Sequence, residues 1–396
     1  MGSVSAVPLL LALLACLLLS SCGDGDTTTR PESDRRPVIG QSGDDAAAPA
    51  ELGFPVFATK NTTRVGGADV VANAAGSALA TFPAAERAQR PKAVTLVDRD
   101  DWQAAISAAQ LLAEPIGAPV LFTDGDDLPG ATQAALDRLL PTGAPGAGRA
   151  QVIRVNTPAR PEGFDDTNLE GGSPAAIALA IDRLHGNAAG RPSEAVVVAS
   201  QDEPAYAMPA AAWAAKSGDP VLWTTRDSVP AETREAIDDH GRPRIYVLGP
   251  ETTISARVAQ ELAALGDVRR IAGPDPVSTA IAFARFSDGN FGWNVVDPGH
   301  GLVFASTDRP ADAAAGAPMA RSGKHGPLLL IPDPAFLPTA VRDYLLDIQP
   351  GYESDPVRGV YNHGWLMGDE SAISLDVQAR IDALLEIQPV STSSTD

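Results

Sequence analysis

The sequence predicts an α/β protein made of three tandem small α/β domains, each a parallel sheet of strand-helix units. Two observations predict it. One is a recurring stretch: PVLFTDGDDLPGATQAAL at 119–136 returns as PVLWTTRDSVPAETREAI at 220–237, and more weakly as GPLLLIPDPAFLPTAVRDYL at 326–345. Pro119, Pro220 and Pro327 hold the same place in each copy, about a hundred residues apart, which is the length of a domain and too long for one turn of a solenoid. The other is the order within each copy, where apolar runs alternate with helical segments as a sheet with right-handed crossovers requires.

Each unit opens with a helical stretch: ADVVANAAGSALATF, SPAAIALAIDRL or PVSTAIAFARF. The first strand is an unbroken apolar run, AVTLV at 93, AVVVAS at 195 and GLVFAS at 301, as strands covered on both faces read, and a polar loop holding Asp follows it. Next come alanine-rich helices, QAAISAAQLLAEPIG, AYAMPAAAWAAKSG and ADAAAGAPMARSGKHG, whose small side chains let a helix lie close against a sheet. Gly117, Gly218 and Gly326 stand at or just past their ends, where glycine terminates a helix. PVLFT, PVLWT and PLLLI form the second strand, and Pro129, Pro230 and Pro338 open the helix after it. A third strand is clearest in RIYVLGPETTIS at 244 and HGWLMGDESAIS at 363, and in the first unit it shrinks to VIRVN.

The chain has 396 residues and a formal net charge of −20. That field repels polyanions, which argues against nucleic acid and against anionic lipid headgroups, so an extended partner should be neutral, cationic or bridged by metal ions. Cys16 and Cys22 are its two cysteines, which excludes a disulfide framework or cysteine-ligated zinc in the folded part. VPLLLALLACLLLSSC is too short an apolar run to span a bilayer and reads as a secretion signal, although MGSVSAVP ahead of it carries no Lys or Arg. Leu19-Ser20-Ser21-Cys22 resembles the bacterial lipoprotein box, which implies lipid attachment at Cys22 and a membrane anchor. The expected division is a signal peptide at 1–21, the lipidated cysteine and a flexible tether at 22–57, units at 58–157, 158–268 and 269–388, and a disordered tail at 389–396.

The repeated pattern resembles the type 2 cell-wall-binding repeat of Gram-positive surface proteins, usually found three in a row. The second unit matches best, from Ala195 through VLWTTRDSVPAETREAI to YVLGPETTIS. The opening R-x-x-G-x-D-R-Y-x-T-A of that family survives in part as Arg270, Gly273, Asp275, Thr279 and Ala280, and more faintly as Arg64, Gly67, Asp69 and Ala74. The Asp of its D-A-L segment is kept as Asp312, whereas Ala104 and Tyr206 stand at the equivalent places. Capping of the following helix is the simplest role for that Asp.

No G-x-S-x-G, Walker loop or H-E-x-x-H is present, so no enzyme, cofactor or metal site is expected. The five histidines, His185, His240, His300, His325 and His363, each precede a glycine and read as scattered turn residues. Asp100-Asp101 and Asp126-Asp127 read as solvated turns rather than a glycosidase pair. In open parallel sheets ligands gather outside the carboxyl ends of the strands, which nominates Asp98, Asp100, Ser200, Asp202, Ser306, Asp308 and Asp312 for ligand binding. Trp223 and Trp365 are expected in the core, and Trp102 and Trp293 in loops where a sugar could stack. The resemblance then implies a non-catalytic, lipid-anchored envelope protein of a Gram-positive bacterium that binds a cell-wall polysaccharide, neutral or cation-bridged, through three repeated units. The alternative is a structural or regulatory lipoprotein that uses them to contact an envelope protein.

Overall fold

The computed structural model describes residues 57–321 and 326–390; the signal peptide, Cys22, the tether, His325 and residues 391–396 lie outside them. Sheet 1 joins β3 (Val94–Asp98), β4 (Val120–Thr123), β5 (Val152–Val155) and β6 (Asp166–Leu169) in the order β4-β3-β5-β6. Sheet 2 joins β7 (Ala195–Ser200), β8 (Val221–Thr224), β9 (Arg244–Leu248) and β10 (Asp267–Ile271) in the order β8-β7-β9-β10. Sheet 3 takes β11 (Gly301–Ser306), β12 (Leu328–Ile331) and β14 (His363–Met367), and completes itself with a strand from the other end of the chain, β2 (Thr62–Val65). Its order, β12-β11-β14-β2, repeats that of the other two, and β1 (Phe57–Ala58) adds an antiparallel edge. All other pairs in the three sheets are parallel.

The sequence pattern gives three strands per unit, and the structure adds a fourth. β2, β6 and β10 read TTRV, DTNL and DVRRI, with no apolar run to announce them. Each lies beyond the third strand of its sheet and is followed by a helix that packs elsewhere. α1 (Val70–Thr81) follows β2 of sheet 3 but packs on β4 of sheet 1. α4 (Pro174–Ala189) follows β6 of sheet 1 and packs on β8 of sheet 2, and α8 (Pro276–Arg285) follows β10 of sheet 2 and packs on β12 of sheet 3. Every sheet is therefore tied to the next by a strand-helix crossing, and the third is tied back to the first. β13 (Gly351–Tyr352) pairs with β15 (Gln388–Pro389), so the chain stays ordered just past the expected start of its tail.

The alanine-rich helices α2 (Trp102–Ala108), α5 (Pro204–Ser217) and α9 (Asp312–Arg321) do lie against their own sheets. They also pack on one another, where three sheets converge, and this is the second reason for their small side chains. One continuous apolar core results. Its burial, at roughly 25 cal/mol per Å² of apolar surface, is the main stabilising contribution.

Three tryptophans depart from expectation. Trp365 is half-buried on β14, its ring against His363 at 4.5 Å, because alternate side chains of that strand face opposite sides of the sheet. Trp293 is 6% exposed, its ring edge-on to Trp213 at 5.5 Å, so no sugar can stack on it. Trp223 is fully buried, as expected, and Trp102 opens α2 rather than lying in a loop.

Candidate functional site

The crossings place the same three parts at each junction between sheets: the loop after a first strand, the equivalent loop of the neighbouring sheet, and the N-terminus of a crossing helix. At the strand end itself the side chain shapes the turn. Asp98 accepts the Asp100 amide at 2.9 Å and the Gly125 amide at 2.7 Å, Ser200 Oγ accepts the Asp202 amide, and Ser306 Oγ accepts the Asp308 amide. A two-residue reach from an Asp or Ser oxygen to the backbone is the Asx or ST turn. Asp100, Asp202 and Asp308 are exposed at the loop tips.

The junction of sheets 3 and 1 holds a pocket of about 410 Å³, lined by Asp69, Arg99, Asp100, Trp102, Arg309 and Asp312 among others. Asp69 caps α1, accepting the Ala72 amide at 2.9 Å. Arg99 reaches Asp124 at 3.4 Å and Asp69 at 3.8 Å, so it is only loosely held. Arg309 donates from Nη2 to Ser371 Oγ at 2.7 Å and to Asp369 at 3.3 Å, while its Nη1 is buried with no hydrogen-bond partner.

Asp312 does not cap its helix. Fully buried in the first turn of α9, it accepts one hydrogen bond, from Asn73 Nδ2 on α1 at 2.7 Å, and its Oδ2 has no partner. Burial raises its carboxyl to about 6, against the Asn73 bond and the Arg309 charge, which pull it down. Asn73 Oδ1 accepts the Gly67 amide at 2.8 Å, and Gly66, at φ +97°, passes so close that a Cβ there would lie 2.1 Å from Asn73 Oδ1. A pair of glycines after β2 is what lets the chain make this turn. On α8, Thr279 Oγ1 plays the part of Asn73, accepting the Gly273 amide at 2.9 Å.

The arginines of the opening motif do different work. Arg64, buried on β2, donates to the carbonyls of Gly368, Asp369 and Ile373 at 2.7–2.9 Å and to Gln378 Oε1, which closes the loop after β14. Arg270 on β10 likewise donates to the carbonyls of Gly249 at 2.7 Å and Ile254 at 2.9 Å after β9. At the equivalent place in sheet 1, β6 has Asn168, and a guanidinium from β5 substitutes: Arg154 bonds the Thr157 carbonyl at 2.8 Å and Asp166 at 2.5 Å.

Nothing gathers the histidines. His240 and His185 lie near one another's neighbours but each bonds backbone or carboxylate, and among the described residues no cluster of His, Cys, Asp and Glu could hold a metal ion. At the opposite, amino end of the strands a hollow of about 420 Å³ is lined by Trp213 and Lys216, whose Nζ sits 4.9 Å from the rings of Trp213 and Trp293.

With three equivalent sheets and their crossing strands in view, comparison decides the family. Residues 169–259 and 270–378 match Cell wall binding domain 2 (CWB2). The chain belongs to the CWB2 family. Among solved structures, this CWB2 chain resembles Cwp6 from Clostridium difficile, at 18% identity and a TM-score of 0.66, over 82% of this chain and 48% of that one. Cwp8 from Clostridium difficile is similar at 16% identity and a TM-score of 0.62, over 83% of this chain and 52% of that one. The likeness shows the α/β fold, and this chain spans about half the length of each. A search of curated proteins finds no match. Each matched stretch begins at the end of a crossing strand and takes in the crossing helix and the first three strands of sheet 2 or sheet 3; the first sheet lies almost wholly outside them but has the same strand order.

Proposed function

We propose that this CWB2 protein is a non-catalytic component of the cell envelope that binds a wall polysaccharide, with the first sheet as a third, diverged copy of the repeat. In this reading Cys22 carries a lipid anchor, so the protein ties membrane to wall or positions a partner. One observation carries the proposal most directly: the pocket between sheets 3 and 1 lies outside the carboxyl ends of the strands, where parallel sheets collect ligands, and is lined by an indole, guanidinium groups and carboxylates suited to a sugar. Asp100, Asp308 and Asp312 border it directly, Asp98 and Ser306 act one step back by setting its loops, and Ser200 and Asp202 form the corresponding loop of sheet 2, away from this pocket.

The test is a pull-down of the protein on purified cell-wall sacculi, before and after mild acid removes the attached polysaccharides. Retention that disappears on stripping supports polysaccharide recognition. Equal retention on both preparations moves the ligand to peptidoglycan, and no retention on either leaves contact with an envelope protein as the reading to pursue.

A further inference from the structure

We propose that the hollow at the amino end of sheet 2 is a second binding site, and that it takes a monocarboxylate with a small apolar body, either a free acid or the end of a peptide. The inference stands apart from the polysaccharide reading, since the hollow lies at the opposite end of the strands from the pocket between sheets 3 and 1.

The hollow is built around a cation that has no carboxylate. In a chain with 50 acidic and 30 basic residues a lysine readily finds one: Lys60 pairs with Glu386 at 2.6 Å and Lys92 with Glu114 at 2.5 Å. Lys216, half-buried in the last turn of α5, makes no hydrogen bond or ion pair among the described residues. Its Nζ instead lies 4.9 Å from the rings of Trp213 and Trp293, which hold an ammonium but give its N–H groups no lone pair. Burial pulls its pKa down, and no acid restores it. Arg244, at the start of β9, also lines the hollow; it donates to the Asp288 carbonyl at 3.1 Å and has no carboxylate partner among the described residues.

The carboxylates on the same lining are engaged elsewhere. Glu114 accepts from Lys92 at 2.5 Å and from Arg321 at 3.2 Å, and Glu194 faces Arg191 at 4.0 Å. Asp219 is buried and accepts from Ser193 Oγ and from Trp213 Nε1 at 2.7 Å, which fixes the indole as a wall of the hollow. An incoming carboxylate therefore meets two cations without acid partners, and its apolar body meets Trp213 and Phe291. Inorganic phosphate would satisfy the cations and leave the rings uncovered. The volume, about 420 Å³, is near the low end for small-molecule sites and has room for a branched acid or a terminal dipeptide. Sheet 1 has no equivalent: counted back from Gly117 as Trp213 and Lys216 are from Gly218, the places hold Leu112 and Pro115.

The experiment follows the tryptophan fluorescence of the full chain as 3-methylbutanoate is added, with 3-methylbutanamide as the uncharged control and inorganic phosphate as the control without an apolar body. The acid is expected to give a saturable change, and neither control to do so below about 10 mM. Lys216→Met should weaken the acid by about tenfold or more, and Lys60→Met by less than about twofold. Equal binding of acid and amide, tighter binding of phosphate, no saturable change with the acid, or an unchanged affinity in Lys216→Met overturns the proposal. On the unaltered chain, bound acid should also protect Lys216 from acetylation, read by mass spectrometry; a Lys216 that stays equally reactive overturns the site without relying on any variant folding. N-acetyl-dialanine with a free or an amidated carboxyl end then separates the two sources. Tighter binding of the free-ended peptide than of 3-methylbutanoate assigns the site to a peptide end, and weaker binding assigns it to a free acid. Equal binding of the two peptide forms overturns the carboxylate.

Discussion

Asp312 holds a proton more tightly folded than unfolded, and the consequence for stability has a definite sign. Its carboxyl rises from 3.8 to about 6 on folding. Between those values the native state keeps a proton that the unfolded chain has released, so this residue makes stability fall as pH rises from about 4 to 6. Above pH 6 the full cost is present. Asp312→Asn keeps the acceptor for Asn73 and removes the charge, so chemical denaturation at pH 7.5 should show a gain on the order of 2 kcal/mol that vanishes near pH 4. A residue that lowers stability in the resting protein and lines a pocket fits the common conflict between stability and binding. His240 has the opposite sign. Its ring is almost wholly buried; burial opposes its charge, but the Asp182 contact at 2.7 Å outweighs this and raises its pKa. Nδ1 must donate to the Ser193 carbonyl, which can only accept, so Nε2 faces Asp182 as a second donor when the ring is charged. The stabilisation is fully present below the ordinary histidine range near 6.5 and is lost as pH rises through the folded value. Urea titrations at pH 6 and pH 9 should therefore show the native protein losing an increment of stability that His240→Gln does not lose. An identical pH dependence in the variant would show that the ring stays neutral.

At the scale of elements, the crossing strand is held by an arginine whose guanidinium replaces hydrogen bonds that the next loop cannot make for itself. Truncating Arg270 to Ala leaves the carbonyls of Gly249 and Ile254 without their donor, and should cost about 3 kcal/mol, seen as a lower denaturation midpoint with unchanged slope. Arg64→Ala should cost at least as much, because four acceptors lose their donor there. These arginines show which parts of the fold the sequence makes legible. The apolar strands β3, β7 and β11 and the opening and alanine-rich helices follow directly from periodicity, because burial on both faces leaves unbroken runs. The crossing strands do not. DTNL and DVRRI are edge strands with half-exposed side chains, and their partners come from the preceding sheet, so no local pattern names them. The candidate site divides in the same way. Loop-tip aspartates are readable from position alone, whereas the pairing of Asp312 with Asn73, 239 residues away, exists only once β2 has joined sheet 3. Trp102, nominated in the sequence for sugar stacking, does line the pocket although it opens a helix rather than lying in a loop, and Arg309 was accessible in principle by its place three residues past the strand end.

For the molecule as a whole, the pairing of β2 with β14 makes the first described residues part of the last sheet. A linear array of three domains would confine damage at one end to that end; a closed set of crossings transmits it to the other. Removing residues 1–69 deletes β2, its Arg64 and the Asp69 cap in one step, and exposes the β14 edge from Gly364 to Met367 to solvent. An exposed parallel edge invites pairing with other chains, so the shortened protein should also aggregate more readily. The expected pattern in hydrogen exchange is loss of protection at β14 and in α11 (Leu375–Leu385), which packs on both strands, while β7 and β9 of sheet 2 keep theirs. Loss confined to residues near the new N-terminus, with β14 still protected, would show that sheet 3 stands without its borrowed strand. The pocket between sheets 3 and 1 distinguishes the two outcomes again. One wall comes from α1 and the other from α9, and they meet because β2 anchors the start of α1 to sheet 3. Glycan binding should therefore disappear in the shortened chain even though Arg309, Asp312 and Trp102 all remain in it.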